Sequence, residues 1–159
     1  MEHLWAPWRN IYVKDGTKHE GNVFARIAQG TDDEANFVLI RGKSCFAVLN
    51  IYPYNTGHLM IIPYRLTGDL DELSDDESLE GLSALKTVKA ALTAAFHPQG
   101  FNIGLNLGAA AGAGIEAHLH WHIVPRWSGD ANFITTVGGV RVHPNELGSV
   151  YRLLKEKIG

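Results

Sequence analysis

His118-Leu119-His120-Trp121-His122-Ile123-Val124-Pro125-Arg126 decides the reading of this chain. Imidazole alternating with apolar side chains is a β-strand pattern, because every second residue on a strand shares a face. The spacing predicts a strand over 118–124, ended by Pro125. It places His118, His120 and His122 on one face and sends Leu119, Trp121 and Ile123 into the core. Three imidazoles buried as structural groups would need three sets of hydrogen-bond partners, so a functional face is the better reading. Two chemistries use imidazoles in this way. One is metal binding, although three successive side chains on a strand span about 13 Å and cannot all reach one ion without a bend. The other is nucleophilic catalysis, with one imidazole attacking an electrophile and its neighbours orienting it.

The surroundings favour the second. Upstream lie Gly104-Leu-Asn-Leu-Gly108 and Ala111-Gly112-Ala113-Gly114, and backbone N–H groups in a glycine-rich turn can approach phosphate oxygens closely. Arg126 could add positive charge, and Asn50 and Asn106 are strand-end amides suited to sugar hydroxyls or bridging oxygens. Glycines, amides and an imidazole row together point to a phosphate-ester site.

The rest of the chain supplies a scaffold. Phe37–Arg41 and Ser44–Asn50 are apolar runs around a Gly42-Lys43 turn, a hairpin signal. Gly57–Ile62 is a third strand stopped by Pro63, and Phe101–Leu107 a fourth, with Asn102, Gly104 and Asn106 on one face. Between these two strands Ser74 and Glu77 form a capping box, followed by Leu82, Leu85, Val88, Leu92 and Phe96 at helical spacing; Pro98 and Gly100 stop the helix. A short helix is expected over 22–28 and another over 145–157. Turn-linked strands with one long crossover helix make an α+β fold with a mainly antiparallel sheet.

The chain has 159 residues, 45% hydrophobic and 19% charged, which is one globular domain's worth. We expect a single domain over 1–159, with residues 1–20 as an N-terminal extension and 134–159 as a C-terminal segment carrying a helix. A net charge of −3 argues against coating nucleic acid through bulk charge. One cysteine, Cys45, excludes an internal disulfide and a cysteine metal cage. No apolar run is long enough to span a membrane, and Met1–Arg9 has no signal-peptide core, so a soluble cytoplasmic protein is expected.

The triad followed by Ile-Val-Pro-Arg resembles the motif of the histidine-triad (HIT) family. Leu49-Asn50-Ile-Tyr-Pro53-Tyr-Asn-Thr-Gly57-His58-Leu-Met-Ile-Ile-Pro63 is similar to that family's other signature block, and Phe101–Gly108 to the strand before its loop. The resemblance covers roughly residues 20–135. Leu4-Trp5-Ala-Pro-Trp8-Arg9 and Arg126–Phe133 resemble the branch of bacterial diadenosine tetraphosphate phosphorylases, close to the fragile-histidine-triad hydrolases. The resemblance implies a five-stranded sheet and a homodimer, or a tetramer, joined edge to edge. It also implies cleavage of dinucleoside polyphosphates at an α-phosphate through a nucleotidyl-histidine, by hydrolysis or phosphorolysis. In that scheme His120 is the nucleophile, His122 contacts the phosphate and leaving oxygen, and His118 pairs with His58 to keep the row in register. Asn50 binds ribose, Asn106 binds near the scissile bridge, and the amides of Gly112, Ala113 and Gly114 hold phosphate oxygens.

Two departures matter. Family members with a structural zinc take ligands at positions that are here Asn22, Ala25 and Leu66, together with the first triad histidine. No zinc is therefore expected; no cofactor is required, although a divalent ion can arrive with the substrate. The Gly-Ser pair of the phosphorylases falls at Ala113-Gly114, which lacks a hydroxyl and favours a hydrolase or nucleotidyl transferase. Rival readings are a phosphoramidate or adenylyl-amine hydrolase, a non-catalytic adenine-nucleotide sensor and a metal-binding protein. His3, His19, His97 and His143 read as surface groups and Cys45 as a small buried hydrophobe. The acidic run 69–80 reads as a solvated helix start, while Trp5, Trp8 and Tyr12 could pack on the core or meet a partner subunit.

Overall fold

The computed structural model describes residues 22–138 and 145–159, so the readings of His3, Trp5, Trp8, Tyr12, His19 and His143 lie outside the described residues. Asn22 caps helix α1 (Val23–Gln29). Strands β1 (Val38–Arg41), β2 (Cys45–Leu49) and β3 (Leu59–Pro63) follow. Helix α2 (Asp75–Phe96) leads to β4 (Gly100–Leu105), then β5 (Trp121–Arg126). The short α3 (Phe133–Val137) and the C-terminal α4 (Leu147–Ile158) complete the chain.

One five-stranded sheet has the order β1-β2-β3-β5-β4, with every neighbouring pair antiparallel. Because β5 is inserted between β3 and β4, those two strands run in the same direction, and α2 is the crossover that such a connection requires. The hairpin turn at Gly42-Lys43 forms as read: Gly42 N–H donates to Cys45 C=O at 2.8 Å, and Glu80 on α2 accepts from Ser44 N–H at 2.9 Å.

The capping box at Ser74 and Glu77 forms, and His97 closes the helix in the left-handed conformation ahead of Pro98. The apolar stripe differs in one place from its sequence reading. Leu85, Val88 and Leu92 are buried with Ala84 and Ala91, but Leu82 is 50% exposed. Gly81 takes the inward position there and lets the Trp121 ring approach the helix; a Cβ would meet that ring at 3.4 Å. Leu92 packs over Gly57, whose φ of +75° makes the turn that feeds His58 into β3, and where a Cβ would sit 2.7 Å from Leu92 Cδ2.

The two sheet faces carry different cores. One packs Leu39, Ala47, Leu49, Leu59, Ile61 and Ile123 against α2, with Val150, Tyr151 and Leu154 of α4 alongside. Tyr151 Oη and Lys155 Nζ donate to the carbonyls of Val38 and Leu39, tying α4 to β1. The other face packs Val38, Phe46, Val48, Met60 and Ile62 against Phe24 of α1. The C-terminal helix therefore stabilises the face away from the histidines.

Leu92→Ala should destabilise the fold by about 2–5 kcal/mol, since it opens a cavity under Gly57, whereas Leu82→Ala should stay within about 0.5 kcal/mol. Urea midpoints for the two variants check this; equal losses would contradict the packing described.

Candidate active site

The row is built where β5 meets β3. Met60 pairs with His122 and Leu59 with Ile123, which puts His122 on the α1 side of the sheet. Regular pairing begins at Trp121, opposite Ile61, so His118–His120 do not lie on the strand that alternation predicts, and Pro125 continues the strand instead of ending it. The reason is Pro63. It has no N–H with which to extend the ladder, and its carbonyl is taken by the His118 ring, Nε2 donating at 2.7 Å. The bend is fixed by Leu119 N–H to Thr67 C=O at 2.7 Å and His118 N–H to Ile115 C=O at 3.3 Å.

Backbone groups with a single possible role settle where the protons sit. Asn22 Oδ1 accepts from the Phe24 and Ala25 amides, so its Nδ2 must donate, and it does so to His118 Nδ1 at 2.9 Å. His118 is thus protonated on Nε2 alone. His120 Nδ1 is 2.8 Å from His118 C=O and must donate to it, which leaves Nε2 of His120 as a bare lone pair. On the far side, Tyr54 N–H donates to His58 Nδ1 at 3.0 Å. His58 Nε2–H then donates to His122 Nδ1 at 2.9 Å, so His122 carries its proton on Nε2. That nitrogen is buried and has no partner among the described residues.

Relative exposures of 0%, 7% and 9% for His118, His120 and His122 make this a recessed row rather than an open face. Burial pushes all three below the ordinary histidine value of 6.5, His122 to about 4, with the neighbouring His120 adding to the effect. His58 is lowered to about 3 by the same desolvation and by its neighbours His122 and His120. Four neutral imidazoles result. Phe24 packs on two of them, edge-on to His118 at 5.7 Å and tilted over His120 at 5.0 Å between ring centres. The His120 and His122 rings stand 4.9 Å apart at 70°, and Tyr54 stacks on His122 at 5.7 Å.

Several expected roles change. His58 pairs with His122 and not with His118, and being 0% exposed it reaches a substrate only through His122. Asn50 is half-buried and spends Oδ1 on Tyr52 N–H at 2.9 Å, while its Nδ2 lies 3.4 Å from His58 Nδ1. Asn106 is half-buried just past β4, and the loop that follows curls into a 3-10 turn, Ala109–Ala111. There the Gly112 amide donates to Ala109 C=O and that of Ala113 to Gly108 C=O, so of the three expected phosphate-binding amides only Gly114's is not spent on closing the turn. Arg126 offers no spare charge: Asp130 holds it at 2.7 and 2.8 Å, and its Nη1 donates to Asn102.

Asn22, Phe24 and the Pro63 carbonyl are supports that the motif does not announce, because Asn22 lies 96 residues from its partner. A four-ligand metal site does not fit here. Asn22, Ala25 and the 57% exposed Leu66 supply neither thiolate nor imidazole, and the one imidazole has its Nδ1 lone pair taken by Asn22. Among the described residues no three His, Cys, Asp or Glu side chains converge as a metal site. The arrangement instead presents a bare imidazole lone pair beside an imidazole N–H donor, the pairing that in-line attack on phosphorus and departure of an oxygen requires.

Comparison with known proteins matches a HIT domain to residues 32–129. An AP-4-A phosphorylase of Mycobacterium tuberculosis is 44% identical over 161 residues, covering 97% of this chain and 83% of that protein. A bis(5'-nucleosyl)-tetraphosphatase (asymmetrical) of Schizosaccharomyces pombe is 31% identical over 93 residues, 58% of this chain and 50% of that protein. The crystal structure of a Zn-bound histidine triad family protein from Mycobacterium smegmatis aligns with a TM-score of 0.70 at 28% identity, covering 86% of this chain and 91% of that one.

The buried imidazoles predict acid sensitivity. Folded, His58 and His122, lowered to about 3 and about 4, stay neutral well below pH 6.5; unfolded, they take protons near that pH. Unfolding therefore takes up protons as the pH falls, so stability is full above about pH 6.5 and is lost progressively toward pH 4. Urea midpoints from pH 7.5 to 4.5 check this, and a flat profile would contradict it.

Proposed function

The chain belongs to the histidine-triad (HIT) family, and from that premise we infer that it is an enzyme that cleaves dinucleoside polyphosphates of the diadenosine tetraphosphate type at an α-phosphate. The observation that carries this is the proton arrangement of the row: His120 Nε2 bare, His122 Nε2 protonated and without a partner among the described residues. The 44% identity to an AP-4-A phosphorylase over 97% of the chain supports the substrate class.

In the reaction, His120 Nε2 attacks the α-phosphorus in line. An N–P bond forms as the P–O bond to the polyphosphate breaks, and the departing oxygen takes the His122 Nε2 proton. The acceptor, water or inorganic phosphate, then attacks the nucleotidyl-histidine from the opposite side. Its oxygen replaces His120 on phosphorus, and its proton restores His122. With diadenosine tetraphosphate, phosphate gives ADP and ATP, whereas water gives AMP and ATP. The phosphorylase relative favours phosphate; the lack of a hydroxyl at Ala113-Gly114 favours water. Asn50 and Asn106 line the nucleotide's approach, and a divalent ion enters only with the substrate.

The working unit is a homodimer, or a tetramer built from it, joined along β4, an edge strand on which Ile103 is 50% exposed. No helix among the described residues is long and apolar enough to cross a membrane. The proposed place of action is the cytoplasm, on free nucleotides. No structural zinc is held at positions 22, 25, 66 and 118, for want of ligands.

His120→Ala should lower kcat by about a thousand-fold or more while nucleotide affinity changes less than about threefold, since the imidazole acts only in the transition state. Chromatography of the products with and without phosphate identifies the acceptor, and equal loss of binding and turnover would point to a folding role for His120. Elemental analysis of the purified chain should find far less than one zinc per chain, with EDTA leaving the melting temperature unchanged; stoichiometric zinc would overturn the zinc-free reading.

A further inference from the structure

We propose that Asn22 is a positioning residue for the nucleophile, its side-chain amide setting the proton pattern of His118 and, through the His118 peptide, the aim of His120. The inference rests on the reading of His120 as the attacking group. One amide makes three bonds that fix one another. Oδ1 accepts Phe24 N–H at 2.9 Å and Ala25 N–H at 3.4 Å, which starts α1, and Nδ2 donates to His118 Nδ1 at 2.9 Å. The amide cannot be turned over without setting its NH₂ against two backbone N–H donors and its oxygen against a lone pair. The His118 ring is thereby held between two opposite partners, the Asn22 donor on Nδ1 and the Pro63 carbonyl on Nε2.

A ring fixed at both nitrogens fixes its own peptide. The carbonyl of that peptide receives His120 Nδ1–H at 2.8 Å. The same cap places Phe24, the first helical turn's buried residue, against both His118 and His120. Asn22 thus acts on His120 by two routes, one through hydrogen bonds and one through packing. The position to which the resemblance assigns a zinc ligand here supplies a donor to the same imidazole.

Asn22→Asp separates the two tasks. The carboxylate caps the helix as well as the amide does, but it cannot donate to His118 Nδ1. Side-chain ¹⁵N spectra of the folded chain near pH 7 should show His118 protonated on Nε2 only. In Asn22→Asp both His118 nitrogens should carry protons, with the melting temperature kept. A charged His118 opposes the positive charge that the His120 ring gains as it attacks phosphorus, so with diadenosine tetraphosphate kcat should fall about tenfold or more and KM stay within about threefold. A native proton pattern and native kcat in Asn22→Asp would overturn the proposal and leave Asn22 a helix cap alone. Should that variant fail to fold, Asn22→Ser also caps the helix and is too short to reach His118. It should show the same loss of kcat, and native kcat there would overturn the proposal equally. The spectra need no turnover, so a native chain that splits no dinucleotide would sink the proposed function while the spectra still decide the role of Asn22.

Discussion

Burying a row of imidazoles imposes a proton count on everything around it. Each ring carries one donor and one acceptor when neutral, and an unpaired one costs roughly 1–3 kcal/mol when buried. In this chain the count closes from outside the row. The Asn22 amide fixes His118, the His118 carbonyl fixes His120, and the Tyr54 amide fixes His58 and then His122. Among the described residues two nitrogens remain outside the count, Nε2 of His120 and Nε2 of His122, and they are of opposite kind. Where the fold leaves hydrogen-bonding capacity unspent is where a substrate has something to contribute.

The same count explains the form of the scaffold. Pro63 ends the ladder and frees its carbonyl for His118 Nε2–H. A proline at that strand end, often read only as punctuation, is also a ligand for the ring. Gly57 has a comparable double use: its positive φ turns the chain into β3 and delivers His58 beneath His122, with Leu92 of the crossover helix packed on the glycine. The long helix on one face of the sheet thus supports a pair of imidazoles on the other.

What was legible in the sequence follows from how far each signal travels. The capping box, the hairpin turn and the crossover helix are local patterns, and each formed where it was read. The grouping of the three histidines was legible in their spacing, and the family resemblance brought in His58; the structure gathers all four rings. Partnerships were harder. His58 could have served His118 or His122 equally well from spacing alone; only the pairing of Met60 with His122 brings His58 beneath the latter. Arg126 reads as a source of positive charge because Asp130, four residues on, counts as a neighbour only once the chain turns after β5. The glycine-rich loop looked like open amides, but a 3-10 turn uses two of them internally. Leu82 fitted the helical period, yet Gly81 beside it was the residue needed against Trp121. In each case propensity gave the element correctly and tertiary packing chose the partner.

Neutrality is the site's main electrostatic property, and it suits the nucleophilic role proposed for His120. Burial holds His120 below the ordinary histidine value, so its lone pair is available at neutral pH. In the proposed reaction the ring becomes positively charged as Nε2 bonds to phosphorus, and its Nδ1–H turns into a stronger donor to the His118 carbonyl. That hydrogen bond is worth more in the transition state than in the resting enzyme, which is the condition for raising kcat rather than merely binding substrate. Its value depends on the carbonyl not yielding as the ring's charge grows. The His118 side chain, tied to Pro63 on one nitrogen and to Asn22 on the other, holds that peptide in place. A fixed carbonyl aimed at developing positive charge is the mirror image of an oxyanion hole, and a recessed, water-poor row is where such a dipole acts most strongly.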